Sequence, residues 1–207
     1  MTLTGLWGRK IGMTQVFAQN KAVPVTVVAT DHWVVTNIRT RERDGYSALQ
    51  VGCLRKRYRK VPFSFAWLKK LKDYFFEVHE IPTDEDPADT LIGTLFDTDL
   101  FAVGDITDVS GVSRGLGFIG VYKRYGFGGA AKSHGSKMGK CPGSLGFTRR
   151  SGEVLKGKKL PGHGGMLSKT IKNLAVVGVD KDARIVLVKG SVPGKTGSLV
   201  FIRKVQG

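Results

Sequence analysis

Sulfur is scarce in this chain: Cys53 and Cys141 are its only cysteines, far apart and with no CxxC pair. They read as free thiols in a reducing compartment, which argues against a disulfide framework and against a zinc site. A single bridge between them stays compatible with the sequence. Long apolar runs are missing too. None approaches the roughly 20 residues of a membrane span, so no membrane-spanning helix is expected. The opening text, MTLTGLWGRKIGMTQVF, lacks a basic start followed by an apolar stretch and a small-residue cleavage site, and no secretory signal is read there. The most telling absence is acid: no Asp or Glu occurs between Asp108 and Glu153.

That absence shapes the charge. The 207 residues carry 33 Lys and Arg against 17 Asp and Glu, a formal net charge of +16. Such an excess points to a polyanionic partner, with nucleic acid ahead of an anionic membrane, and the partner expected is nucleic acid and no membrane. Residues 1–110 hold 14 basic and 14 acidic side chains, whereas 111–170 hold 12 basic and one acid, Glu153. Residues 171–207 add 7 basic against 2 acidic. Most of the excess therefore lies in one internal stretch.

The flanking text reads mainly as β-structure. Residues 21–30, 32–40 and 46–54 are rich in β-branched and aromatic residues, and Asp44-Gly45 between the last two is a hairpin-turn signal. After Pro62 the spacing of Trp67, Leu68, Leu71, Tyr74, Phe75 and Val78 becomes helical, although 74–81 fits a strand equally well. The acidic, Pro-containing stretch 83–89 reads as a solvated loop. Strand text returns at 174–180, 183–190 and 198–205. Between them, 111–170 contains 16 of the 28 glycines and only 12 Leu, Ile, Val or Phe. So little apolar surface does not offset the ordering entropy, and the stretch is expected to be extended or irregular unless a partner orders it. The expected organisation is a discontinuous β-body, 1–110 plus 171–207, interrupted by a basic arm, 111–170.

Two motifs invite an enzyme reading. Gly115-x-Gly117-x-x-Gly120 has the spacing of a dinucleotide-binding turn, but that turn needs a long following helix and an acid about 20 residues on. The acid is absent, and the glycines at 126, 128 and 129 oppose a long helix. GSVPGKT, 190–196, resembles a phosphate-binding P-loop but has three residues between its glycines where four are required, so a plain turn is expected. His32 and His79 lie among apolar residues and read as packed side chains. His134 and His163 have no nearby acid to orient a ring. No catalytic residue, no metal site, no cofactor and no small-molecule substrate are expected.

In the arm, cations alternate with glycine and aromatics. The candidate RNA-binding residues are Arg114, Lys123, Arg124, Lys132, His134, Lys137, Lys140, Arg149, Arg150, Lys156, Lys158, Lys159 and His163, with Tyr122, Tyr125, Phe127 and Phe147 among them. Phosphates would relieve the self-repulsion of such a run and release counterions. Arginine clamps phosphates bidentately, and aromatics stack on unpaired bases. DNA serves the charge equally, while an irregular arm suits folded RNA better than a uniform duplex. A DNA-compacting protein and a nucleotide-dependent enzyme stay open as alternatives.

GLWGRKIGMTQVF (5–17), DVSGVSRGLGFIGVYKR (108–124), HGSK (134–137), PGSLG (142–146), GKKLPGH (157–163) and IVLVKGSVPGKTG (185–197) together resemble large-subunit ribosomal protein three of the bacterial type. The match is weakest at about 53–95. The resemblance implies a mainly β protein: a closed six-stranded Greek-key-type barrel with a minor helix and a long irregular basic extension. It further implies 23S-type ribosomal RNA and neighbouring large-subunit ribosomal proteins as partners, a role in early assembly and near the peptidyl transferase centre, and the cytoplasmic ribosome as location. The chain departs from the family text at Leu116, Gly139 and Gly164-Gly165-Met166. At the arm's tip, GFTRR (146–150) stands where some members carry a glutamine, and 111–170 contains no glutamine.

Overall fold

A computed structural model describes residues 4–18, 20–30, 32–83, 90–95, 98–146 and 152–205. The chain divides into two compact units, Met1–Val112 with Ser168–Gly207, and Ser113–Leu167.

The larger unit is mainly β. Six of its strands, β1 (Gly5–Ala18), β2 (Lys21–Ala29), β6 (Ile106–Val112), β9 (Ser168–Asp180), β10 (Ile185–Lys189) and β11 (Leu199–Lys204), pair antiparallel in the cyclic order β1-β11-β6-β9-β10-β2 and back to β1. Alternate residues of these strands point inward. Leu6, Val28, Val109, Val176, Val186, Val188, Val200 and Ile202 are buried together in one apolar cluster. Two buried threonines within it are satisfied: Thr26 donates to the Gly190 carbonyl at 2.6 Å and Thr107 to that of Leu174 at 2.9 Å.

Strand β1 is the element that composition conceals. Its glycines weaken strand propensity, yet backbone passes so close that larger residues would not fit. A Cβ on Gly5 would strike the Ile202 carbonyl oxygen, and one on Gly8 would lie 2.9 Å from the Ala29 carbonyl oxygen. The β1–β2 register shifts between Lys10 and Gly12, leaving Ile11 as the extra residue of a bulge.

A second sheet of the same unit pairs β3 (Trp33–Arg39), β4 (Ala48–Leu54) and β5 (Phe75–Pro82) in that order, all antiparallel. Both faces of β4 and of the first half of β3 are covered, which explains the continuous apolar text of β3. Trp33, Val35, Leu49, Val51, Cys53 and Ile81 join the main core, while Val34, Leu54 and Phe75 pack with Trp67, Tyr58, Phe63, Leu71 and Tyr74. The helical spacing after Pro62 thus marks a real but short helical segment, a 3₁₀ helix at Phe65–Lys70 followed by one α-turn, α2 (Leu71–Tyr74). From Phe75 onward the strand alternative holds, because Phe75 is needed between the sheet and Trp67. Asp44-Gly45 does reverse the chain, but through a one-turn helix, α1 (Arg41–Asp44), rather than a two-residue turn; Gly45 ends it at φ 83°.

The smaller unit is less irregular than its composition predicts. It contains a two-stranded ribbon, β7 (Gly117–Ile119) with β8 (Gly162–Gly164), and a short helix, α3 (Val121–Tyr125). Ser113 donates its N–H to the Leu167 carbonyl at 2.8 Å and Leu116 donates to that of Gly164 at 2.9 Å, so the two ends of the unit run side by side. Val121 is fully buried, whereas Leu116, Phe118, Tyr122, Tyr125, Met138 and Leu155 stay exposed. The expected shortage of core shows itself in this way: the unit has ribbons and turns but almost no interior.

Candidate nucleic-acid interface

The basic side chains of 113–167 are held by a scaffold of glycine turns with few constraints of their own. Arg114, Lys123, Arg124, Lys132, His134, Lys137, Lys140, Lys156, Lys158, Lys159 and His163 are all exposed. Arg149 and Arg150 lie outside the described residues, as does Phe147. Among the described residues, no ion pair forms within the unit, whose single acid is Glu153. Exposed cations without carboxylate partners repel one another, and the arrangement becomes favourable when an external anion neutralises it.

Helix α3 gathers part of this charge. Arg124 donates from Nη1 to the Leu160 carbonyl at 2.8 Å, and its guanidinium lies 5.1 Å from the Tyr125 ring centre. Lys159 Nζ sits 5.7 Å from the same ring, and Lys140 Nζ 5.4 Å from that of Tyr122. Each such contact at an exposed site contributes about 0.5–1 kcal/mol. Together they bring residues 124, 140 and 159 around two tyrosines despite long sequence separations. Lys158 is tied elsewhere, donating to the Leu145 carbonyl at 2.6 Å. Among the described residues, no side-chain hydrogen bond, ion pair or ring contact joins Arg114, Lys123, Lys132, His134, Lys137, Lys156 or His163 to this group, although Lys123 shares α3 with it and His163 lies on β8 beside α3. Tyr122 and Tyr125 present exposed rings that suit stacking on unpaired bases.

The two enzyme-like motifs resolve into structure. In a dinucleotide turn the third glycine permits close packing of helix on strand. Gly120, in that place, has φ −71°, and a Cβ on it would meet nothing within 4 Å. The helix after it has five residues and stops at Gly126. The 190–196 loop leads into strand β11 rather than a helix, and its carbonyls face a cation. Lys10 Nζ donates to Val192 at 2.9 Å and Gly194 at 3.2 Å, the reverse of N–H groups cradling a phosphate. His79 is packed as expected, stacked on Trp7 with ring centres 4.3 Å apart, and burial pushes its pKa below the usual value against the opposing charge of Glu77. Among the described residues, no three His, Cys, Asp or Glu side chains cluster as a metal site would require, and no helix is long and apolar enough to cross a membrane.

Sequence reasoning missed the carbonyl anchors of Arg124 and Lys158, because backbone acceptors leave no trace in residue type. It also passed over a basic cluster at 55–60, since the charge of 1–110 sums to zero.

The model of the family described as "Ribosomal protein L3" matches residues 85–185. The chain is 42% identical over 202 residues to the large ribosomal subunit protein uL3 of Geotalea daltonii, covering 96% of this chain and 95% of that protein. The uL3 protein of Pelotomaculum thermopropionicum is 42% identical over 207 residues (97% and 96% covered), and that of Thermobifida fusca 40% over 210 residues (97% and 94%). With identity at this level along nearly its whole length, the chain belongs to the ribosomal protein L3 family.

Proposed function

We propose that this chain is a structural, non-catalytic component of the large ribosomal subunit that binds ribosomal RNA of the 23S type. The cyclic strand pairing, with β11 returning beside β6 and β9 and β10 following, supports reading the body as a six-stranded Greek-key barrel that docks and positions. The unit Ser113–Leu167 acts as the RNA-penetrating arm, which neutralises phosphate and stiffens RNA near the peptidyl transferase centre. Early assembly, neighbouring large-subunit proteins and the cytoplasmic ribosome complete the reading.

The observation that carries it is the set of exposed arm cations with one acid among them and no internal ion pair in the described residues. A nucleotide enzyme loses its two motifs to the geometry of Gly120 and Lys10. Co-sedimentation of the native protein with large subunits in high salt tests the proposal, together with competition between folded ribosomal RNA and duplex DNA. Retention on the subunit and preference for folded RNA are expected. Equal competition by duplex DNA supports a DNA-compacting protein instead and overturns the proposal.

A further inference from the structure

The larger unit contains a cavity of about 480 Å³ lined by Arg9, Cys53, Leu54, Arg55, Lys56, Arg57, Arg59 and Phe76. Five of these eight residues are cations and none is an acid. A run such as RKRYRK on a surface is ordinarily a solvated face, but here the chain turns on itself. Lys56–Tyr58 form a 3₁₀ turn directly after β4, while Arg9 arrives from β1 and Phe76 from β5. Three separate elements thus converge on one concavity, and low-dielectric walls focus the positive potential there.

Two of the guanidinium groups are fixed in advance. Arg55 donates from Nε to the Phe75 carbonyl at 3.2 Å and from Nη2 to that of Lys72 at 2.7 Å. Arg9 lies over the Phe76 ring, 4.6 Å from its centre, and is steadied by Glu77 at 3.5 Å. Lys56 and Arg57 are exposed, and Phe76, although aromatic, keeps 56% of its surface open. The carbonyl anchors engage Arg55 Nε and Nη2 and leave its Nη1 donors for a phosphate beside the loose cations, and the Phe76 ring face away from Arg9 suits a stacked base.

We propose that this cavity is a second RNA site, on the body rather than the arm, which takes the phosphate of one unpaired nucleotide on Arg9, Arg55, Lys56 and Arg57 with its base on Phe76. It rests on the RNA-binding reading above but concerns a different surface. The shared chemistry is a phosphate monoanion beside a planar base, and RNA is the source argued for, because exposed cations grip a chain phosphate within a larger contact more firmly than a free one.

The test uses the full chain and large-subunit ribosomal RNA fragments. Lys56→Gln with Arg57→Gln should leave thermal unfolding unchanged and make the slope of log affinity against log salt shallower by about 1 to 2. Phe76→Ala should weaken binding about tenfold, and Phe76→Trp should restore it. Ultraviolet crosslinking in assembled subunits should join Phe76 to RNA. An unchanged slope and no RNA crosslink at Phe76, while Ala at Lys156, Lys158 and Lys159 does flatten the slope, overturns this inference alone. If neither set changes the slope, the RNA-binding reading itself fails. A crosslink from Phe76 to a protein, or saturable protection of the cavity arginines by a mononucleotide without any effect on RNA binding, also overturns it.

Discussion

Gly165 offers the sharpest perturbation of the basic unit. Its φ is 74°, and a Cβ there would fall against the Arg114 carbonyl oxygen and within 3.0 Å of the Arg114 carbonyl carbon and Gly115 Cα. Gly165→Ala therefore carries two costs. The left-handed backbone costs an L-residue about 1–2 kcal/mol. Relieving the clash separates the two strands, which threatens the Ser113–Leu167 and Leu116–Gly164 hydrogen bonds at about 1 kcal/mol net each. The sum is about 3–4 kcal/mol, confined to the unit Ser113–Leu167. Amide hydrogen exchange reads it directly: the Ser113 and Leu116 amides should lose roughly a hundredfold or more in protection, while the core amides of Val186 and Ile202 hold theirs. Gly120→Ala is the control. With φ −71° and open space around it, this change should shift stability by no more than about 0.5 kcal/mol. If Gly165→Ala leaves Ser113 and Leu116 as protected as before, or if Gly120→Ala costs as much, the account of this ribbon is wrong.

Three further outcomes follow from the same contacts. Should six to ten arm cations meet phosphates, RNA affinity should drop by about three to five powers of ten between 50 and 200 mM salt, with folded RNA following the trend of duplex DNA. A nearly flat titration would sink the electrostatic account. His79 binds a proton less readily in the folded chain than at its ordinary value of 6.5, so its contribution is intact above that pH and declines as pH falls below it. Melting temperatures of His79→Gln should accordingly depend less on pH between about 7 and 5 than those of the parent. Lys10→Met removes the cation that holds the Val192 and Gly194 carbonyls and should destabilise the larger unit by about 1–3 kcal/mol in urea titration, whereas Lys195→Ala, exposed on the same loop, should be near neutral.

The strands whose residues alternate or run apolar were legible in the sequence. Residues 21–30, 32–40, 46–54, 183–190 and 198–205 correspond closely to β2, β3, β4, β10 and β11. Strand β1 was not legible as a strand, because Gly5 and Gly8 answer to the backbone of other strands, which no local pattern records. The helical spacing at 67–78 was half legible: Trp67, Leu71 and Tyr74 do share a buried face, but pairing with β4 takes over at Phe75. In the basic unit, residue types located the cations and aromatics. What joins residues 124, 140 and 159 around two tyrosines is tertiary geometry. Summing charge over 1–110 hid the cluster beside Phe76, since the acids at 84–89, which lie outside the described residues, balance it on paper.

The central claim is that the unit Ser113–Leu167 meets ribosomal RNA through its exposed cations and tyrosines. The most direct measurement is zero-length crosslinking of native large subunits, with the peptide–RNA adducts mapped by mass spectrometry. Adducts should concentrate in 113–167, with Tyr122 and Tyr125 among the crosslinked residues. Adducts confined to the larger unit, or adducts to protein alone throughout 113–167, would contradict the account.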